Sequence, residues 1–293
     1  MSLKTLFYLI RKKFHNDLTE FADIDHKTLF SFLYNEAHKD SSWGKSSWQA
    51  EYFKKIHEYI PLMEFEGMRL ARLGGQNVGI NGDGGYVMNL PLSSSKIAYS
   101  FGINKDCSWD SRIADIGYDV FMYDHTISSL PYNRKEFHWE KTGLCGKDKT
   151  ENCLTLEELI RKNRHEGNSG MLLKIDIEGA EWDVFDSIES GTLDKFDQIA
   201  VEFHGMNNFA IKEKILSSLN KISETHCCIH LHGNNYSDVF FCGKYVMPNC
   251  VEATFVRKKS VSGWKTSSET LPREIDVPCN LARCEIILGE WNL

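Results

Sequence analysis

From Ile97 onward the chain alternates short β-rich runs with helical stretches, and that alternation leaves few ways to fold. The runs 97–102 (IAYSFG), 119–124 (DVFMYD), 170–176 (GMLLKID), 198–204 (QIAVEFH) and 227–233 (CCIHLHG) read as strands. Between them, 108–117, 155–164, 180–188 and 209–222 read as helices, with apolar residues three and four apart. Thr155 and Glu158 form a capping-box pattern at the start of the second of these. A shorter unit surrounds 137–144, and 251–258 reads as a late edge strand. Alternation of this kind predicts an α/β fold, a parallel or mostly parallel sheet with helices on both faces. Ligands of such sheets lie beyond the carboxyl ends of the strands.

Upstream, residues 1–70 read as an N-terminal helical extension or cap, with apolar spacing through Leu29, Phe30 and Leu33 and through Tyr52, Phe53, Ile56 and Ile60. Residues 71–293 form the main domain, opening on a glycine-dense stretch with hairpin signals at Asn81-Gly82 and Asp83-Gly84. The apolar run Leu6–Ile10 is too short for a signal core or a membrane span and predicts a docking helix. A net charge of −7 without a strong basic block argues against nucleic acid as a partner. Nine cysteines, without metal-like or redox-like spacing, predict reduced thiols in a cytoplasmic protein.

Gly102 ends one strand and Asp124 ends the next, 22 positions later. In a nucleotide-binding βαβ unit that first turn approaches the cofactor, and an acid about 20 positions on accepts hydrogen bonds from ribose. The turn SFGINKDCSWDS has one glycine, so the three-glycine cradle for a pyrophosphate is missing, and NAD or FAD is disfavoured. The chain also lacks a G-x-x-x-x-G-K-[ST] loop for nucleoside triphosphates. A nucleoside cofactor without phosphates, S-adenosylmethionine, fits better, its ammonium suiting carboxylates near Gly102, Asp106 and Asp110.

The segments RLGG…GDGGYVM (72–88), YSFGINKDCSWD (99–110), VFMYDHT (120–126), LLKIDIEGAEWDVF (172–185) and VEFHG (201–205) resemble FkbM-type methyltransferases, and more closely their methyltransferase-like 24 group. The resemblance covers about residues 70 to 205. It implies a Rossmann-like, seven-stranded methyltransferase sheet with S-adenosylmethionine as donor. Gly102 then takes the place of the first-motif glycine and Asp124 that of the ribose-binding acid, with Asp106, Ser108 and Asp110 beside them. Asp83, Gly84, Gly85 and Tyr86 would lie against the methionine moiety or line the substrate mouth. Asp176 would sit near the transferred methyl. Trp109 stands where phenylalanine is frequent in the family and still fills an apolar pocket.

Methyl transfer to oxygen needs an aligned acceptor and a way to remove its proton, by a general base or by a metal. His204 is the preferred base, with Asp176 beside it. Asp176, Glu202 and His204 form a candidate site for a divalent metal such as Mg or Mn. Glu202 and His204 share a strand face, as do His230 and His232. His230, His232, Asn234 and Asn235 are candidate substrate contacts; the histidines equally suit backbone hydrogen bonds and the asparagines a turn. Glu202 could instead pair with Lys174, and Glu178 and Glu181 could simply stabilise a helix N-terminus. Trp43, Trp48, Tyr52 and Tyr86 suit either sugar stacking or packing. The expected acceptor is a sugar hydroxyl, on a nucleotide-activated or surface-polysaccharide precursor, with a homodimer left open. The alternatives are N-methylation of an amine or phosphoramide, a non-catalytic binding module, and a dehydrogenase, the last opposed by the missing glycine fingerprint.

Overall fold

The computed structural model describes residues 47–75, 82–93, 95–147, 152–242 and 245–292. The helices expected before residue 47, the Leu6–Ile10 run, Trp43 and Asn81 lie outside the described residues. Among the described residues no helix is long and apolar enough to cross a membrane.

The chain enters through α1 (Ser47–Tyr59) and the antiparallel pair β1 (Leu70–Gly74) and β2 (Gly85–Asn89). There follow β3 (Ile97–Phe101), α2 (Ser108–Asp115), β4 (Asp119–Tyr123), β5 (Phe137–Glu140) and α3 (Leu156–Lys162). The second half is β6 (Met171–Ile175), α4 (Glu181–Ser187), β7 (Phe196–His204), α5 (Lys212–Thr225), β8 (His226–Gly233) and β9 (Cys250–Arg257).

Seven of these strands form one sheet in the order β8-β9-β7-β6-β3-β4-β5. Pairings from β7 to β5 are all parallel, and β9 runs antiparallel to both β7 and β8. The mostly parallel, Rossmann-like sheet expected from the alternation is therefore present. The placing of 251–258 at an edge is corrected: β9 lies between β7 and β8, and β8 is the outer strand. Its first seven residues are all buried, as an interior strand requires.

Local chemistry explains the elements. The Thr155 hydroxyl accepts from the Glu158 amide while the Glu158 carboxylate accepts from the Thr155 amide, which is the expected capping box. On α5, Ile215, Leu216, Leu219 and Ile222 are buried, the helical stripe that seals one face of the sheet. The β1–β2 pair is fastened to the sheet by a reciprocal amide exchange between Asn89 and Gln198, at 2.9 Å each way. Tyr52 of α1 donates to the Met206 carbonyl at 2.8 Å and packs on Phe209, as does the exposed Trp48. Parallel pairing sets the carboxyl ends of β3, β4, β6 and β7 along one edge, where β9 begins.

Candidate active site

That edge opens into a cavity of about 1190 Å³. Asp83, Gly84, Gly102, Asp106, Asp110, Asp124, Asp176, Glu202, His204 and Asn234 line it, so most of the residues singled out from sequence meet there. Two lining residues, Asn104 (φ 48°) and Glu178 (φ 56°), hold left-handed backbone, the kind of local strain that gathers at functional sites.

On the β3–β4 side the acids build the backbone. Gly102 has φ 74°, and a Cβ there would fall on the Asp176 carbonyl, so only glycine lets β3 and β6 end so close together. Lys174 is buried and donates to the Gly102 carbonyl at 2.7 Å. One Asp124 oxygen accepts from the Ile103 and Asn104 amides at 2.9 and 2.8 Å. The other accepts from the Thr126 amide and hydroxyl at 2.7 and 2.6 Å. Burial opposes the Asp124 charge, but these donors outweigh it and hold the carboxyl below its ordinary value. Asp106 accepts from the Ser108 amide, while the Ser108 hydroxyl accepts from Gly75. Asp110 differs: it is fully buried, and burial raises its pKa even though Lys174 and a hydrogen bond from the Ser100 hydroxyl work the other way.

On the β6–β7 side acids crowd together. Asp176 accepts from the Tyr86 hydroxyl at 3.0 Å and lies 3.7 Å from Lys174. Glu181 is fully buried and accepts from the Ile177 and Gly179 amides. The same Glu181 carboxylate meets His204 Nδ1 at 3.1 Å, leaving Nε2 toward Glu178 at 3.5 Å. Burial would lower the His204 imidazole, but the Glu181 hydrogen bond and the surrounding carboxylates raise it to about 9. Glu202 does not pair with Lys174; it accepts from Asn234 Nδ2 at 2.5 Å and Cys250 Sγ at 2.8 Å. Burial, then Asp176 and Glu252, push Glu202 up to about 8. One ligand atom each from Asp176, Glu178 and His204 lies within 4.8 Å of the others, as do those of Glu202, His204 and Cys250.

The Methyltransferase FkbM domain matches residues 77–226 of this sequence. The chain belongs to the FkbM methyltransferase family. No curated protein matches it. A solved structure described as a putative hemolysin from Streptococcus thermophilus is similar at 9% identity and a TM-score of 0.30, covering 77% of this chain and 87% of that chain.

In this FkbM-family chain several predicted contacts stand away from the cavity. His230 and His232 are buried, at 2.8 Å from Asp276 and Glu252 respectively, because β8 is covered by the C-terminal segment. Asn235 donates to the carbonyls of Asn280, Arg283 and Cys284 in that segment. Tyr86 stands behind Asp176, and Gly85 and Ser108 are likewise outside the lining. The expectation of reduced thiols is also corrected, since Cys145 and Cys153 form a disulfide with Cα atoms 5.8 Å apart. Short strands at 143–144 and 153–154 pair and bring the two together, a contact that the spacing alone did not reveal.

Sequence reasoning weighed Glu181 and Glu178 only as helix-end charges. The signal was present in Glu178 and Glu181 flanking Gly179, but only the fold shows that His204 arrives opposite them.

Proposed function

We propose that this FkbM-family chain is an S-adenosylmethionine-dependent methyltransferase that methylates a sugar hydroxyl. The observation that carries the reading is Asp110, a carboxyl buried on the wall of an acidic cavity, its pKa raised by burial despite Lys174 and the Ser100 hydroxyl nearby. A buried acceptor of this kind calls for a cationic donor, which the ammonium of S-adenosylmethionine supplies. The backbone around Gly102 and Asn104 would hold the ribose, with His125, Thr126, Gly143 and Leu144 lining the space for adenine. A typical ligand pocket is about 300–1,000 Å³. At about 1190 Å³ this one has room for donor and acceptor together.

In place of the expected set of Asp176, Glu202 and His204, the grouped set Asp176, Glu178 and His204 would suit a divalent ion such as Mg or Mn, with two carboxylates and one imidazole. When bound, such an ion lowers the pKa of a coordinated hydroxyl. The chain's own groups do the positioning. Tyr86 fixes Asp176, and Glu181 orients the His204 ring with Nε2 toward the cavity. With its imidazole raised to about 9, His204 acting alone as base gives a rate that climbs from pH 7 to 9. The crowded carboxylates favour a neutral sugar over one carrying a diphosphate.

Calorimetric titration with S-adenosylhomocysteine, with and without EDTA, tests the donor. Micromolar binding that weakens about tenfold in Asp110→Asn supports the reading, and no binding at ~1 mM overturns it. The acidic lining also suits an amine acceptor, the second reading. Turnover on amines that survives chelation would select it over the sugar hydroxyl.

A further inference from the structure

A second group of ligand-type side chains lies further along the sheet, outside the cavity wall. On β9, Glu252 stands opposite Glu202 of β7 on one side and opposite His232 of β8 on the other. Glu202 takes hydrogen bonds from Asn234 and Cys250, while Glu252 faces the His232 imidazole. Cys279, from the segment after β9, closes over this row. His232, Glu252 and Cys279 are 0%, 3% and 0% exposed, and one ligand atom from each lies within 4.8 Å of the others.

We propose that His232, Glu252 and Cys279 bind a structural zinc ion that fastens the C-terminal segment to the sheet. Zinc bonds of 2.0–2.3 Å in a tetrahedron separate the ligand atoms by roughly 3.3–3.7 Å. Cys279 Sγ already lies 3.4 Å from Glu252 Oε1, and His232 Nδ1 lies 2.8 Å from Glu252 Oε2. The second gap has to open by about half an ångström, and the three ligand atoms already lie within 4.8 Å of one another. Behind the ring, His232 Nε2 lies 3.2 Å from Glu285, the carboxylate–imidazole support that orients metal-binding histidines.

Charge points the same way. A thiolate, a carboxylate and a neutral imidazole neutralise Zn²⁺, so the buried site carries no net charge. A donor set of sulfur, nitrogen and oxygen suits zinc and not magnesium or calcium. The Asp83 carboxylate, on the cavity lining, lies within 4.8 Å of those of Glu202 and Glu252, so Glu252 stands between the cavity and the proposed ion. The Gly82 amide donates to the Pro278 carbonyl, so an ion at Cys279 also steadies the glycine loop at the cavity mouth. The site is independent of the methyl-transfer reading.

The test is zinc content and cobalt substitution in the full-length protein. One zinc per chain after equilibration with zinc and gel filtration is expected. Replacement by Co²⁺ should give a thiolate-to-cobalt charge-transfer band, present in Cys250→Ala and absent in Cys279→Ala. Wild-type protein without zinc and without the band overturns the assignment, whatever the variants do. A band that survives Cys279→Ala and vanishes in Cys250→Ala overturns it too, moving the ion to Glu202, His204 and Cys250. Should Cys279→Ala fail to fold, loss of the band in His232→Ala with wild-type circular dichroism serves instead, and its retention overturns the site.

Discussion

The two halves of the cavity treat their acids in opposite ways. Beside β3 and β4, Asp124 accepts four hydrogen bonds and Asp106 is held by Ser108, so these charges go into shaping the loop. Beside β6 and β7, Asp176, Glu178 and Glu202 gather around His204 with Lys174 the nearby lysine. A saturated carboxylate is architecture, whereas carboxylates crowded together hold electrostatic energy that a cation can release. One half is thus mostly a fixed mould, with buried Asp110 left for the donor's ammonium, and the other a charged surface awaiting a ligand.

The largest expected effect breaks the mould. Gly102→Ala places a Cβ on the Asp176 carbonyl at a backbone angle alanine disfavours, so both halves move apart. Loss of donor binding with strongly reduced soluble yield is expected, read by calorimetry and thermal melting. Next is Asp124→Ala, which leaves the Ile103, Asn104 and Thr126 amides without their acceptor. A destabilisation of about 3 kcal/mol is expected. Urea unfolding checks it, and a loss below ~0.5 kcal/mol would show that the loop does not depend on this acid.

The charged half should respond differently. Glu181→Gln keeps the side chain's size but weakens its hold on His204 and the 177–179 amides. Methyl transfer should fall by roughly 10- to 100-fold, as for other supporting partners of an imidazole. Binding of S-adenosylhomocysteine should stay near wild type. Equal losses in both would erase the distinction between the halves.

How much of this was legible in the sequence follows from range. Gly102, Asp124 and Asp176 each follow a strand directly, so local pattern and spacing place them at the sheet edge. Whether Asp124 faces a ligand or its own loop depends on Thr126 and the Asn104 backbone, which periodicity does not encode. The row Glu202–Glu252–His232 depends on β9 entering between β7 and β8, a non-local pairing. Likewise His230 and Asn235 alternate on β8 and its turn as rim residues would, and only the overlying C-terminal segment removes them from the cavity.

The opposite edge of the sheet supplies the control with the smallest effect at neutral pH. His226 begins β8, 2% exposed, with Nε2 donating to the Phe196 carbonyl at 2.9 Å and Nδ1 accepting from Thr225 at 2.8 Å. Burial, only partly offset by that carbonyl, lowers its pKa to about 4. The unfolded chain therefore takes up the proton first. The contribution of His226 is full above about pH 6.5 and is lost as pH falls toward 4, by up to about 3 kcal/mol. His226→Gln should match wild type in donor binding at pH 7 and show a shallower loss of stability between pH 6.5 and 4. Denaturant melts across that range measure the difference. Parallel acid limbs would mean that the imidazole is not held neutral, and a change in donor binding would mean that the two edges of the sheet are not independent.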